Sequence, residues 1–170
     1  MKENSHKVTP LVSVLVPIYN VSRYLRQCLN SLRLQTMQDI EFICINDGST
    51  DNCLDIINEY VASDSRFKLL NKQNSGYGDS MNKGLAMAKG KYIGIVESDD
   101  WAESDMFEQL SSLAEANNAQ AVKSNFYFYV SYGGGSNKKI SIVDPNEVGV
   151  VVSPRVTPHI FKGMSTIWSG

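Results

Sequence analysis

Four times before residue 118, a short apolar run is followed by a stretch with helical spacing, and polar residues cluster where the runs end. The runs are Val12-Ser13-Val14-Leu15-Val16-Pro17, Ile40 to Ile45, Phe67-Lys68-Leu69-Leu70 and Tyr92 to Val96. Strands that are apolar rather than alternating are buried on both faces. Parallel strands need long crossovers, which helices supply, so this alternation predicts an α/β fold: a mostly parallel sheet with helices on both faces. The first helix is expected from Ser22 as its cap, with Leu25, Cys28, Leu29 and Leu32 inward. The second starts near Thr50 or Asp51 and turns Leu54, Ile57, Tyr60 and Val61 to the core. The third follows Gly78 and carries Met81, Leu85 and Ala88, with Gly90 where a C-terminal glycine belongs. The fourth opens at Ser104 with Phe107, Leu110, Leu113 and Ala114 inward.

After Asn117 the pattern changes. Ala119 to Val130 is β-prone, Gly133 to Asn137 reads as a loop, and Ile140 to Val143 reads as a strand. From Pro145 onward no period is visible, and Trp168 stands close to Gly170 with no closing element, which predicts that the native chain continues. At 170 residues the chain fits one domain, large enough to bury roughly 70% of its unfolded surface without staples. With 16 Lys and Arg against 18 Asp and Glu, the net charge of −2 offers no basic face, so nucleic acid is not an expected partner. Cys28, Cys44 and Cys53 match no zinc spacing, and Cys28 and Cys44 sit in apolar runs as small core residues. No apolar run approaches the ~20 residues of a membrane span. Met1 to Pro10 lacks the apolar centre of a secretory signal, which makes a cytoplasmic location the expectation.

In a parallel α/β sheet, ligands bind beyond the carboxyl ends of the strands, near a reversal of strand order. Tyr19-Asn20, Asn46 to Asp51, Asn74 to Gly78 and Ser98 to Asp100 all fall on that edge. In Glu97-Ser98-Asp99-Asp100, adjacent carboxylates repel unless a cation neutralises them. Hard oxygen donors of this kind suit Mg²⁺ or Mn²⁺, which uses one or two carboxylates plus phosphate oxygens. The plainer reading is an acidic turn before a helix. Asp47 fits both a simple Asx turn and a carboxylate that accepts a nucleobase N–H. The Gly76-x-Gly78 loop could cradle phosphate on backbone N–H groups, but it lacks the third glycine of a dinucleotide fingerprint and the lysine of a P-loop.

Taken in order, these segments resemble family 2 glycosyltransferases. The opening is Val14-Leu15-Val16-Pro17-Ile18-Tyr19-Asn20, then Leu29-Asn30-Ser31-Leu32 with Gln35-Thr36. Ile45-Asn46-Asp47-Gly48-Ser49-Thr50-Asp51 is similar to the family's Asp-Asp-Gly-Ser-x-Asp segment. Asn74-Ser75-Gly76 to Gly90-Lys91-Tyr92-Ile93, followed by Glu97-Ser98-Asp99-Asp100-Trp101, completes the order over roughly Val12 to Leu113. The resemblance implies a GT-A, Rossmann-like fold and inverting transfer of a sugar from a nucleoside diphosphate donor, by family habit a UDP-sugar, to a glycan or lipid-linked acceptor. It implies that Asp47 contacts the base, that Pro17, Tyr19 and Asn20 lie beside it, and that Gly76 and Asn82 complete the nucleotide contacts. Asp99 would lie near the ribose and Asp100 would hold Mn²⁺ or Mg²⁺; in the alternative register Glu97-Ser98-Asp99 is the motif and Asp99 holds the metal. Residues 12–117 would form the nucleotide-sugar half of a single domain, and 118–170 would begin the acceptor half. Related proteins build surface polysaccharides, which implies an acceptor at the inner membrane surface and a protein peripheral to it.

Three departures stand out. Asn46 replaces the first acid of the Asp-Asp pair. Met81 precedes Asn82 where the family often has Arg, leaving Lys72 or Lys83 as the cation for the diphosphate. The catalytic base is a late Asp or Glu, and Ser165-Thr166-Ile167-Trp168 resembles a segment that precedes it. The base is therefore expected beyond Gly170, since Asp144 and Glu147 read as loop residues. Two other readings stay open: a nucleotidyltransferase, whose glycine-rich loop with Arg is missing after the first strand, and a nucleotide-sugar binding module without turnover.

Overall fold

The computed structural model describes residues 9–124, 126–130, 136–140 and 166–169; for the last three segments only strand and pairing are described. The elements are β1 (Val12–Ile18), α1 (Ser22–Arg33), β2 (Ile40–Asp47), α2 (Cys53–Ser63), β3 (Phe67–Lys72), α3 (Tyr77–Met87), β4 (Tyr92–Ile95), α4 (Met106–Asn117), β5 (Ala121–Lys123), β6 (Phe126–Val130), β7 (Ser136–Ile140) and β8 (Thr166–Ser169). The main sheet runs β3-β2-β1-β4-β8-β5, and β6 pairs with β7 as a separate ribbon. β3, β2, β1 and β4 are parallel neighbours. β8 lies antiparallel between β4 and β5. The expected mostly parallel sheet is therefore present, and its strand order reverses between β1 and β4.

Alternate residues of the inner strands serve opposite faces. Val12, Val14, Val16 and Ile18 join Phe42 and Cys44 against the inward residues of α1, α2 and α4. Leu15, Ile43 and Ile45 face the other way and pack with Met81, Met87 and Ala88 around α3. Three helices thus cover one face and one covers the other. All three cysteines are buried and free, in keeping with a role as small core residues.

Several local expectations are corrected. Ser22 is the first residue of α1 rather than its side-chain cap; its N–H donates to Asp51 Oδ2 at 2.9 Å. Asp51 Oδ1 also accepts from the N–H of Cys53 at 3.1 Å, so one carboxylate holds the starts of α1 and α2. In α2, Cys53 and Ile56 join Ile57 and Tyr60 as buried residues, leaving Leu54 and Val61 partly buried. Leu85 and Leu113 are 47% and 40% exposed; Gly84 and Ser111 take the inward places instead. Gly90 is not a left-handed helix cap. The helix ends at Ala88 in extended backbone, and a Cβ on Gly90 would lie 2.4 Å from the Ser13 backbone N, so Gly90 permits a close crossing over β1.

Downstream, β7 takes in Ser136 and Asn137 from the expected loop and Ile140 from the expected strand, of which residues 141–143 lie outside the described residues. Thr166–Ser169, in the stretch where the sequence shows no clear period, forms β8 and pairs with β4 and β5. Asp144, Pro145 and Glu147 lie outside the described residues.

Candidate active site at the carboxyl edge of the sheet

β1 ends in Ile18, and the chain turns through Tyr19 and Asn20, both exposed. Asn20 adopts φ 53°, a left-handed conformation that Asn tolerates better than most residues. Its N–H donates to Ser49 Oγ at 3.1 Å, and its Oδ1 accepts from the Thr50 N–H at 2.8 Å. The turn after β1 is thereby fastened to the turn after β2. Pro17 is buried just inside it, and the Tyr19 ring is 50% exposed.

β2 extends two residues further than its apolar run predicts and carries Asn46 and Asp47 as buried polar residues. Asn46, standing where the family has a carboxylate, donates from Nδ2 to Asn71 Oδ1 at 2.8 Å and accepts from the Ser49 N–H at 3.2 Å. The neutral amide serves both partners without adding charge. Asp47 lies directly across from Lys72 in the parallel β2–β3 register. Its Oδ1 accepts from Lys72 Nζ and from the Ser75 N–H at 2.9 Å, and its Oδ2 accepts from the Gly76 N–H at 3.0 Å. Burial pushes this carboxyl up, but the ion pair and the two N–H donors outweigh it and hold the pKa below its usual value.

Gly76, at φ 89°, precedes α3, and Gly78 falls within the helix rather than in the loop. The Gly76 N–H is spent on Asp47. The expected phosphate cradle is therefore not built on that group; Gly76 instead ties the start of α3 to β2. Asn82 lies exposed on α3. Lys72 and Lys83 both reach Asp79, at 3.0 and 3.1 Å, so each cation proposed for a diphosphate already has an anionic partner.

After β4, Asp99 and Asp100 are exposed and Ser98 is buried. The Asp100 N–H closes a turn onto the Glu97 carbonyl at 3.0 Å. Glu97 Oε1 accepts from the Tyr77 hydroxyl at 2.7 Å, joining the start of α3 to the acidic turn. Burial, and then the charge of Asp99, push the Asp100 carboxyl above its ordinary value. Among the described residues no group of three or more His, Cys, Asp or Glu is gathered for a metal, and no cationic side chain pairs with Asp99 or Asp100. Two hard carboxylates with no paired cation among the described residues fit a divalent cation that completes its shell with phosphate oxygens and water. The two grooves away from this edge, of about 360 and 170 Å³, lie between α1 and α2 and at the opposite end of β2.

Tyr77 with Glu97, and Lys72 with Asp79, are the members of this edge whose pairings the spacing did not reveal. Extending β2 and β3 by two residues in register brings Asp47 opposite Lys72. The Asp79–Lys83 spacing of four is also a readable helix pair.

A mostly parallel sheet with a polar edge at its strand-order reversal, an acidic turn after β4 and a buried, hydrogen-bonded carboxylate at the end of β2 is the layout of the GT-A class of fold. The family model "Glycosyl transferase family 2" matches residues 13–166, and the chain belongs to that family. EpsH of Bacillus subtilis is 50% identical over 102 residues, which is 60% of this chain and 30% of EpsH. The hyaluronan synthase of Pasteurella multocida is 41% identical over 107 residues, 62% of this chain and 11% of the synthase. The structure of S. aureus TarS (residues 1–349) in complex with UDP-GlcNAc superimposes with a TM-score of 0.62 at 29% identity, covering 65% of this chain and 32% of that one. The chain thus spans about a third or less of the length of these relatives.

Proposed function

We propose that the carboxyl edge binds a nucleoside diphosphate sugar, specifically a UDP-sugar, and that the protein transfers its sugar with inversion to a glycan or lipid-linked acceptor. The observation that carries this reading is the fastening of four loops at the strand-order reversal: Asn20 to Ser49 and Thr50, Asp47 to Ser75 and Gly76, and Tyr77 to Glu97. Rigid loops of this kind preorganise a site before a ligand arrives. TarS binds UDP-GlcNAc on a related fold, which supports a uridine donor here.

In this reading Asp47 accepts an N–H from the base, Tyr19 flanks the ring beside Pro17 and Asn20, and Asp99 lies near the ribose. Gly76 and Asn82 border the nucleotide from the α3 side. Asp100, with Asp99, would hold Mn²⁺ or Mg²⁺, which when bound would neutralise diphosphate charge and stabilise the leaving group. Residues 12–117 form the donor half, and 118–170 begin the acceptor half. The base that takes the acceptor proton lies outside the donor half, so donor binding is separable from transfer. The hyaluronan synthase match supports a polysaccharide product; in this reading the protein lies in the cytoplasm, with its acceptor at the inner face of the membrane.

The test is a thermal-shift and calorimetry panel of UDP-, GDP-, dTDP- and CDP-sugars with Mn²⁺. The expected result is stabilisation by UDP-sugars above the rest. A folded chain that none of them stabilises would overturn the reading.

A further inference from the structure

Lys72 is an unusual lysine for a strand end. Its side chain is 7% exposed, and its Nζ reaches Asp47 Oδ1, Ser75 Oγ at 2.6 Å, Asp79 Oδ2 at 3.0 Å and the Gln73 carbonyl at 3.3 Å. One ammonium therefore separates two carboxylates, Asp47 from β2 and Asp79 from α3. An ionised carboxylate has about four acceptor positions. Three of those on Asp47 are taken, by Lys72, Ser75 and Gly76, which leaves one on Oδ2.

Resting on the donor-site reading above, we propose that Lys72 is a positioning residue that keeps Asp47 ionised with a single acceptor position, restricting the site to bases that offer an N–H there. Uracil, thymine and guanine present such a group. Cytosine presents a ring-nitrogen lone pair, which a carboxylate repels. The charges around Asp47 are accounted for on each packed element. β3 brings Lys72, and α3 brings Asp79, with Lys83 beyond it. Without Lys72, Asp47 would sit buried beside Asp79 with no counter-charge. Burial and like charge both raise a carboxyl pKa, so Asp47 would titrate higher than in the wild type even with its Ser75 and Gly76 N–H bonds kept. Once protonated, Asp47 becomes an O–H donor and loses its preference for an N–H partner.

The experiment measures affinity for UDP-glucose and CDP-glucose by calorimetry with Mn²⁺ between pH 7.5 and 5.5. The proteins are wild type, Lys72→Met, Lys72→Arg and Lys72→Met/Asp79→Asn, each checked for folding by circular dichroism. The wild-type preference for UDP-glucose is expected to stay constant with pH. In Lys72→Met the UDP-glucose affinity falls toward acid by up to about tenfold per pH unit, and the preference over CDP-glucose narrows. Lys72→Arg restores the flat profile, and the double variant recovers part of it, because the second carboxylate is gone. Lys72→Gln serves in place of Lys72→Met if the latter does not fold. A wild-type chain that binds UDP-glucose, with a Lys72→Met preference independent of pH, overturns this inference alone. A wild-type chain that binds no uridine nucleotide overturns the donor-site reading along with it.

Discussion

Asp51 does the work of two helix caps with one carboxylate. Burial tends to raise its pKa, but hydrogen bonds from Cys53 and Ser22 outweigh that and bring it down to about 2. A group whose folded pKa lies below its unfolded value of ~3.9 adds stability at higher pH. That contribution is lost as the pH falls from about 4 to about 2. Asp51→Ala is therefore expected to cost ~0.5–2 kcal/mol per cap at pH 7. Urea unfolding should show the gap between wild type and variant closing toward pH 2; a gap that stays constant would contradict the assignment. Asp47 is tested by binding. Asp47→Asn should weaken UDP affinity roughly 10- to 150-fold, the range for one charged hydrogen bond. Unchanged affinity in a folded variant would remove Asp47 from the base site.

At the scale of elements, two glycines serve different contacts and predict different outcomes. A Cβ on Gly90 would meet the Ser13 backbone at 2.4 Å, where Ser13 Oγ also accepts from the Gly90 N–H at 2.8 Å. A Cβ on Gly84 would meet the Ile45 Cδ1 at 2.5 Å, the far end of a side chain that can turn aside. Gly90→Ala is expected to destabilise by ~1–3 kcal/mol, as overpacking does. Gly84→Ala should cost less, since the helix gains up to ~1 kcal/mol from replacing Gly by Ala. Thermal melts that reverse this order would refute the packing argument. These glycines also mark where the sequence stops being legible. The four parallel strands and four helices could be read because buried runs and helical spacing leave a local pattern. The role of Gly90 could not, because it depends on β1, 77 residues away in the chain. The same holds for Asp47: its place at a strand end was readable, while its partners Lys72, Ser75 and Gly76 depend on β3 and α3 packing beside it. Leu85 and Leu113 misled for a simpler reason. Helical spacing fixes a stripe only to within one or two residues, and Gly84 and Ser111 lie one and two positions before them in sequence.

For the molecule as a whole, the proposed donor residues from Pro17 to Asp100 come from β1 to β4, α3 and the loops that follow those strands, and β4 is itself paired to β8 from far along the chain. Transfer also needs a base for the acceptor proton, typically a contribution of ~10²–10⁴-fold. The carboxylates of Asp99 and Asp100 should repel a diphosphate unless a cation lies between them. The most direct measurement is therefore calorimetry of UDP on the wild-type chain and on Asp100→Ala, with Mn²⁺ and with chelator. The account predicts that Mn²⁺ strengthens wild-type binding, that chelator abolishes the gain, and that Asp100→Ala no longer responds to the metal. Wild-type binding of equal strength with chelator and with Mn²⁺, or no binding by a folded chain under either condition, would contradict it.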